Sequence, residues 1–181
     1  MPKTSYVKQL VNVGIIAAFA TLAFIGTLVI RVPIPATGGY FNLGDTFVMI
    51  AALLYGPVIG GLVGLIGPAA ADAVGYPQFI LATAIVKGAE GLLVGLIGSR
   101  STGTSMVKPV VALAVGIAVI VIGYFIFEAF IYPLLGKTIP FFKVTTFEAA
   151  IGELIPNFMQ GIISALIAFG IWRVFRGRAQ K

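Results

Sequence analysis

VNVGIIAAFATLAFIGTLVIRV, residues Val11–Val32, decides how this chain folds. From Val11 to Ile30 the run carries no charge. At about 1.5 Å of rise per helical residue it spans the roughly 30 Å hydrocarbon core of a bilayer. It is too long for the apolar core of a signal peptide, and no credible cleavage site follows, so it reads as a retained membrane helix. The rest of the chain repeats the pattern. Hydrophobic residues make up 59% of the 181 residues and charged ones 10%, and the mean hydropathy is +1.08. A water-facing shell needs about 25% charge, so a soluble domain is excluded. With no Cys and no His, thiolate metal sites, Cys nucleophiles, zincin motifs and Ser-His-Asp triads are excluded as well. No metal site and no cofactor are expected. The net charge of +6 does not imply nucleic acid, because the basic residues flank apolar runs.

Turn signals divide the chain into six helices in one membrane domain, residues 1–181: about 6–30, 45–55, 58–74, 78–97, 107–135 and 146–175. The fold class is an all-α, six-transmembrane-helix bundle. The second and third helices are short for a bilayer and are expected to tilt or to lie inside the bundle. Gly67-Pro68 is expected to interrupt the third. The similarity between Gly61–Gly67 and Leu93–Gly98 is read as a coincidence of small and aliphatic residues rather than a repeat. Six crossings put both termini on one side, with Lys3, Lys8, Arg100, Lys108, Arg173, Arg176, Arg178 and Lys181 against Arg31, Lys137 and Lys143 on the other. By the positive-inside rule both termini are cytoplasmic.

All six carboxylates avoid the cytoplasmic loops, and buried acids need a partner or a purpose. Asp45 and Glu148 are expected at helix starts, where they cap free amides and suit the positive helix end. Asp72 lies near a helix C-terminus and is expected to be paired structurally. Thr83, Lys87 and Glu90 share one face of the fourth helix. Lys87 either neutralises Glu90 or faces a cavity. Tyr124, Glu128 and Tyr132 follow one another on the fifth helix, where an interfacial aromatic belt explains the tyrosines. Glu153, Asn157 and Gln160 form one stripe beside Pro156 on the sixth, a donor and acceptor array suited to a heterocycle with hydroxyl groups. On the first helix Gly14/Ala18 and Ala17/Thr21, and on the third Gly56/Gly60/Gly64, make small-residue strips for close packing. The first-helix strip also suits docking to another membrane protein.

Tyr40-Phe41-Asn42-Leu43-Gly44-Asp45, Ala51-Ala52-Leu53-Leu54-Tyr55-Gly56-Pro57, Gly67-Pro68-Ala69-Ala70-Ala71-Asp72, Gly75-Tyr76-Pro77, Thr83-Ala84-Ile85-Val86-Lys87-Gly88 and Asn157-Phe158-Met159-Gln160-Gly161 together resemble the substrate-binding S components of energy-coupling factor (ECF) vitamin transporters, nearest the hydroxymethylpyrimidine, pyridoxine and riboflavin branches. The resemblance implies a plasma-membrane protein that captures a vitamin on the outer side. It implies partners too: a transmembrane coupling protein and two cytoplasmic ATPases, the former met by a small-residue strip on the first helix, here Gly14, Ala17, Ala18 and Thr21. The chain has no phosphate-binding loop of its own, so it binds rather than catalyses. Expected substrate contacts are Tyr40, Phe41 and Asn42 in the covering loop, with Lys87, Glu128, Glu153, Asn157 and Gln160 below. Hydroxymethylpyrimidine or pyridoxine is favoured over the larger riboflavin. The alternative is a stand-alone ion-coupled transporter using Glu90 or Glu153 as its coupling carboxylate. A ligand-free assembly factor is a third class.

Overall fold

In the computed structural model the opening run forms α1, Lys3–Val29, and the bundle assembles around the side of it that carries Ile15, Ile16, Phe19 and Ala23. The structure describes residues 3–35, 39–99, 105–142 and 145–179. Arg100, Lys143 and Lys181 of the charge pattern lie outside them. After α1 the chain turns extended. Strand β1, Val32–Ile34, pairs antiparallel with β2, Gly39–Phe41, in the register Val32 to Phe41 and Ile34 to Gly39. The sequence reading has only a loop here. Pro33 is tolerated because a two-stranded ribbon has only edge strands.

The next two helices are α2, Gly44–Tyr55, and α3, Pro57–Asp72. Gly56 joins them at a φ of 94°, a left-handed backbone that favours glycine, and Pro57 starts α3 with its φ already helical. At 1.5 Å per residue they are about 18 and 24 Å long. α2 is buried on nearly every side, from Gly44 to Leu53, so this short apolar helix is core. The expected interruption of α3 at Gly67-Pro68 does not occur. Pro68 lies inside a continuous helix, where it removes a single backbone donor, a loss a well-packed membrane helix tolerates. Arg31 closes the far end, donating from Nη2 to Ala71 O at 2.6 Å and from Nη1 to Val74 O at 3.0 Å. Ala71 O belongs to the last turn of α3 and also accepts the Val74 N–H at 3.0 Å, while Val74 lies just beyond the helix.

A short 3₁₀ turn at Pro77–Phe79 leads into α4, Ile80–Gly98. α5, Val107–Ile126, runs through a π-helical turn, Phe127–Ile131, into α6, Tyr132–Leu135. Together they make one apolar span, Val107–Leu135. α7, Phe147–Ala179, continues through Pro156. Among the described residues four spans are long and apolar enough to cross a membrane: Tyr6–Val29, Pro77–Gly98, Val107–Leu135 and Phe147–Arg176. α2 and α3 are the shorter apolar helices.

The Gly60/Gly64 strip faces α4. A methyl group on Gly91 would lie 2.1 Å from Gly60 O, and one on Gly64 would lie 2.0 Å from Lys87 O. The two backbones therefore touch, as small residues permit. Below the polar end, Met49, Leu53, Val94, Leu113, Ile120 and Trp172 knit α2, α4, α5 and α7 into the main apolar core.

Candidate functional site

Most of the polar side chains that the helices bury converge beneath the β1–β2 hairpin on one cavity. It offers about 30 Å3 to the centre of a water molecule, space for roughly two waters. α7 supplies one wall. Glu153, Asn157 and Gln160 are all buried on the same stripe, and Asn157 Nδ2 lies 3.4 Å from Glu153 Oε2. Gln160 joins three elements. Its Oε1 accepts from the Asn42 backbone N–H at 2.8 Å and from Asn42 Nδ2 at 3.3 Å. Its Nε2 donates to Asp45 Oδ2 at 2.8 Å. The hairpin is thereby tied to α7, and α7 to α2.

Asp45 does not cap its helix. Leu43 occupies the cap position, and Asn42 Oδ1 accepts the Gly44 N–H at 2.9 Å. Asp45 points inward and receives Lys87 Nζ at 2.6 Å, while Glu90 lies 3.9 Å from the same nitrogen. Lys87 thus combines both expected roles, pairing with Glu90 and facing the cavity, and adds a partner that the sequence does not single out. It lines the cavity wall, its nearer partner is on α2, and the Tyr124 ring lies 5.1 Å from its ammonium. Two buried acids around one buried cation form a cluster held by Coulomb attraction and by the cost of leaving any member alone. Glu90 sits behind the cavity wall, with neither carboxylate oxygen hydrogen-bonded. Glu148 lies in the first turn of α7, exposed, where the helix dipole favours an anion. Capping there falls to Thr146, whose Oγ1 accepts from Ala149 N at 3.3 Å.

Asp72 is paired as its position requires. It accepts the Tyr40 hydroxyl, with Thr83 and Arg31 beside it. Burial first, and the Asp72 carboxylate second, push the Tyr40 phenol up, so it remains the donor. Arg31 lies 4.8 Å from the centre of the Tyr40 ring and 5.1 Å from that of Tyr76, a cation beside two rings whose own centres are 4.5 Å apart.

Of the expected contacts, Tyr40, Asn42, Lys87, Glu128, Glu153, Asn157 and Gln160 line the cavity, and Phe41 does not. Successive strand residues point to opposite faces, so a strand that presents Tyr40 to the cavity turns Phe41 away. The structure adds Thr27, Phe79, Thr83 and Tyr124 to the lining. The Tyr124 hydroxyl lies 3.0 Å from Thr83 Oγ1, so this tyrosine is a wall residue rather than part of an interfacial belt. Tyr132 leaves the cavity for an aromatic cluster with Phe79, Phe127 and Phe142. The π turn between Glu128 and Tyr132 breaks the i, i+4 alignment that an α-helix would keep. Thr83 was legible on the Lys87 face; Thr27 and Phe79 carry no local signal.

Elsewhere on α1, Gly14, Ala17, Ala18 and Thr21 are exposed. A methyl group added to Gly14 meets nothing within 4 Å.

A family model described as the ECF-type riboflavin transporter, S component, matches residues 4–176. The chain belongs to this family. S components of this kind are membrane transport proteins, generally not enzymes, and they work with an ECF module of a transmembrane coupling protein and ATPases. A solved structure, the S component of a bacterial ECF transporter, superposes with a TM-score of 0.72 over 96% of this chain and 99% of the other, at 18% identity. That likeness establishes the S-component fold. Among relatives, an uncharacterized protein of Pyrococcus woesei is 32% identical over 84% of this chain and 93% of its own length. A UPF0397 protein of Exiguobacterium is 37% identical over 51% of this chain and 49% of its own. A UPF0397 protein of Streptococcus pneumoniae strain G54 is 41% identical over 50% and 47%. This S component thus spans about half the length of the UPF0397 relatives it matches.

Proposed function

We propose that this S component captures a small heterocyclic vitamin or vitamin precursor from outside the cell and delivers it to an ATP-driven ECF module. Hydroxymethylpyrimidine and pyridoxine rank ahead of riboflavin. The observation that carries this reading is the gathering of Lys87, Glu128, Glu153, Asn157 and Gln160 around one cavity, in a bundle whose outer faces are apolar. Burying such groups is costly unless they serve one another or a ligand. The single domain crosses the plasma membrane six times, with α2 and α3 as short crossings and both termini cytoplasmic, in accord with the excess of basic residues on that side. The hairpin with Tyr40 and Asn42 then covers the cavity on the outer side. The exposed strip of Gly14, Ala17, Ala18 and Thr21 is the surface offered to the coupling protein, since small residues let a second helix approach closely.

The test is uptake into cells or proteoliposomes with and without a co-expressed ECF module, together with native mass spectrometry of the purified chain. Uptake that requires both the module and ATP, and a heterocycle that co-purifies, are the expected results. Transport by the chain alone down an imposed ion gradient would establish the ion-coupled alternative instead. The unbonded Glu90 carboxylate is the feature favouring that second reading.

A further inference from the structure

The charges around the cavity do not balance, and the imbalance is local. Lys87 is committed to Asp45 and Glu90. Arg31 is committed to the end of α3 and lies beside Asp72. Glu128 and Glu153 remain. They meet between the π turn and α7, close enough for one carboxyl to hydrogen-bond the other when one is protonated, and among the described residues neither has a cation within ion-pair distance. Their exposures are 2% and 4%. Glu128 Oε2 and Glu153 Oε1 lack any hydrogen-bond partner, and both residues line the cavity. A proton shared between the two would remove one charge and still leave a buried carboxylate without a counter-ion.

The backbone is built to hold this arrangement. Glu128 lies in the π turn, the one departure from α geometry in its span, and such turns re-aim side chains at functional sites. Thr145 Oγ1 donates to the Glu128 carbonyl at 2.7 Å, fixing the turn from the start of α7. Glu153 is held from its own helix by Asn157.

We propose that the ligand is a small basic heterocycle, presenting a protonated ring nitrogen or an amino group beside one, and that Glu128 and Glu153 together read it. This rests on the vitamin-capturing role above and narrows its substrate class. A cationic or amidine-like edge supplies the N–H donors that the two carboxyl groups lack, through charge-assisted hydrogen bonds. Asn157, with only one long hydrogen bond of its own, is then left for a hydroxyl substituent, with the Phe79 and Tyr124 rings as walls, while Gln160 stays tied to Asn42 and Asp45. A flavin ring meets this site badly: its pyrimidine edge is mostly carbonyl and ring-nitrogen acceptors, which two carboxylates repel.

The experiment is calorimetric titration of the purified full chain in detergent with 4-amino-5-hydroxymethyl-2-methylpyrimidine, pyridoxine and riboflavin, repeated on Glu128→Gln and Glu153→Gln. At least one of the two basic probes should bind more tightly than riboflavin, and each Gln variant should weaken it by about tenfold or more. The wild-type ranking tests the inference even if a variant folds poorly. Riboflavin binding at least as tightly as the basic probes overturns it. So does a basic probe bound equally well by both folded variants, since the pair would then merely share a proton. If none of the three binds, the compound that co-purifies decides. A basic one supports the inference, and a neutral or acidic one overturns it alone. Absence of any such compound, together with failure to assemble with an ECF module, overturns the proposed function with it.

Discussion

Two stripes with nearly the same spacing meet opposite fates in this molecule. On α7, Glu153, Asn157 and Gln160 face inward and are buried. On α1, Gly14, Ala17, Ala18 and Thr21 face outward, with open space over Gly14. Helical period tells which residues share a face, but not which way that face turns. The difference follows from what each stripe costs in lipid. Acids and amides exposed there lose water without replacement, so they are driven inward. Glycine and alanine lose nothing in either place, and their direction is set by which neighbours need the opposite face, here Phe19, Ala20 and Ala23.

The largest effects are expected at the inward charges. Lys87→Met leaves Asp45 and Glu90 buried without their cation and should destabilise the protein by about 3–5 kcal/mol. Adding Asp45→Asn to the same chain should restore part of that loss. Thermal unfolding in detergent measures both, and a Lys87→Met protein as stable as wild type would contradict the ion-pair account. The tightly packed glycines come next. Gly91→Ala pushes α4 off the Gly60 carbonyl and should cost about 1–3 kcal/mol. Gly14→Ala should stay within about 0.5 kcal/mol of wild type. Equal effects at the two positions would mean that α1 is not free on that side.

Within the inward stripe, Gln160→Ala strands the Asn42 amide and one Asp45 oxygen, a loss of about 1–3 kcal/mol. Asn157→Ala removes one long hydrogen bond and should change stability less. Both should weaken ligand binding, so Asn157 is the cleaner probe of the cavity; unchanged ligand affinity in both variants would detach the stripe from binding. The smallest effect on the chain itself belongs to Gly14→Leu and Ala18→Leu. Stability and ligand binding should match wild type while assembly with the ECF module, followed by co-purification, is lost. Normal assembly of both would remove α1 as the docking surface.

Much of the site was legible because membrane burial makes polar residues conspicuous. Seven of the eight expected contacts line the cavity. The eighth, Phe41, does not line it, because the segment that the sequence shows as a loop is a strand, and only strand geometry separates Phe41 from Tyr40. Asp45 misled for a different reason. Capping is a local rule, and the residue that claims this carboxylate, Lys87, lies two helices further along the chain. Tyr132 shows the limit of helical counting, since the π turn just ahead of Pro133 shifts everything after it.

By itself the sequence determined the membrane helices and the shared face of the α7 stripe, since hydropathy and the helical period act over a few turns of one chain segment. Only the tertiary structure decided how the charges are matched: Lys87 to Asp45, Arg31 to the end of α3, and Glu128 with Glu153 left facing each other. Counter-charges come from whichever helix packs alongside, and a linear pattern does not contain that neighbour.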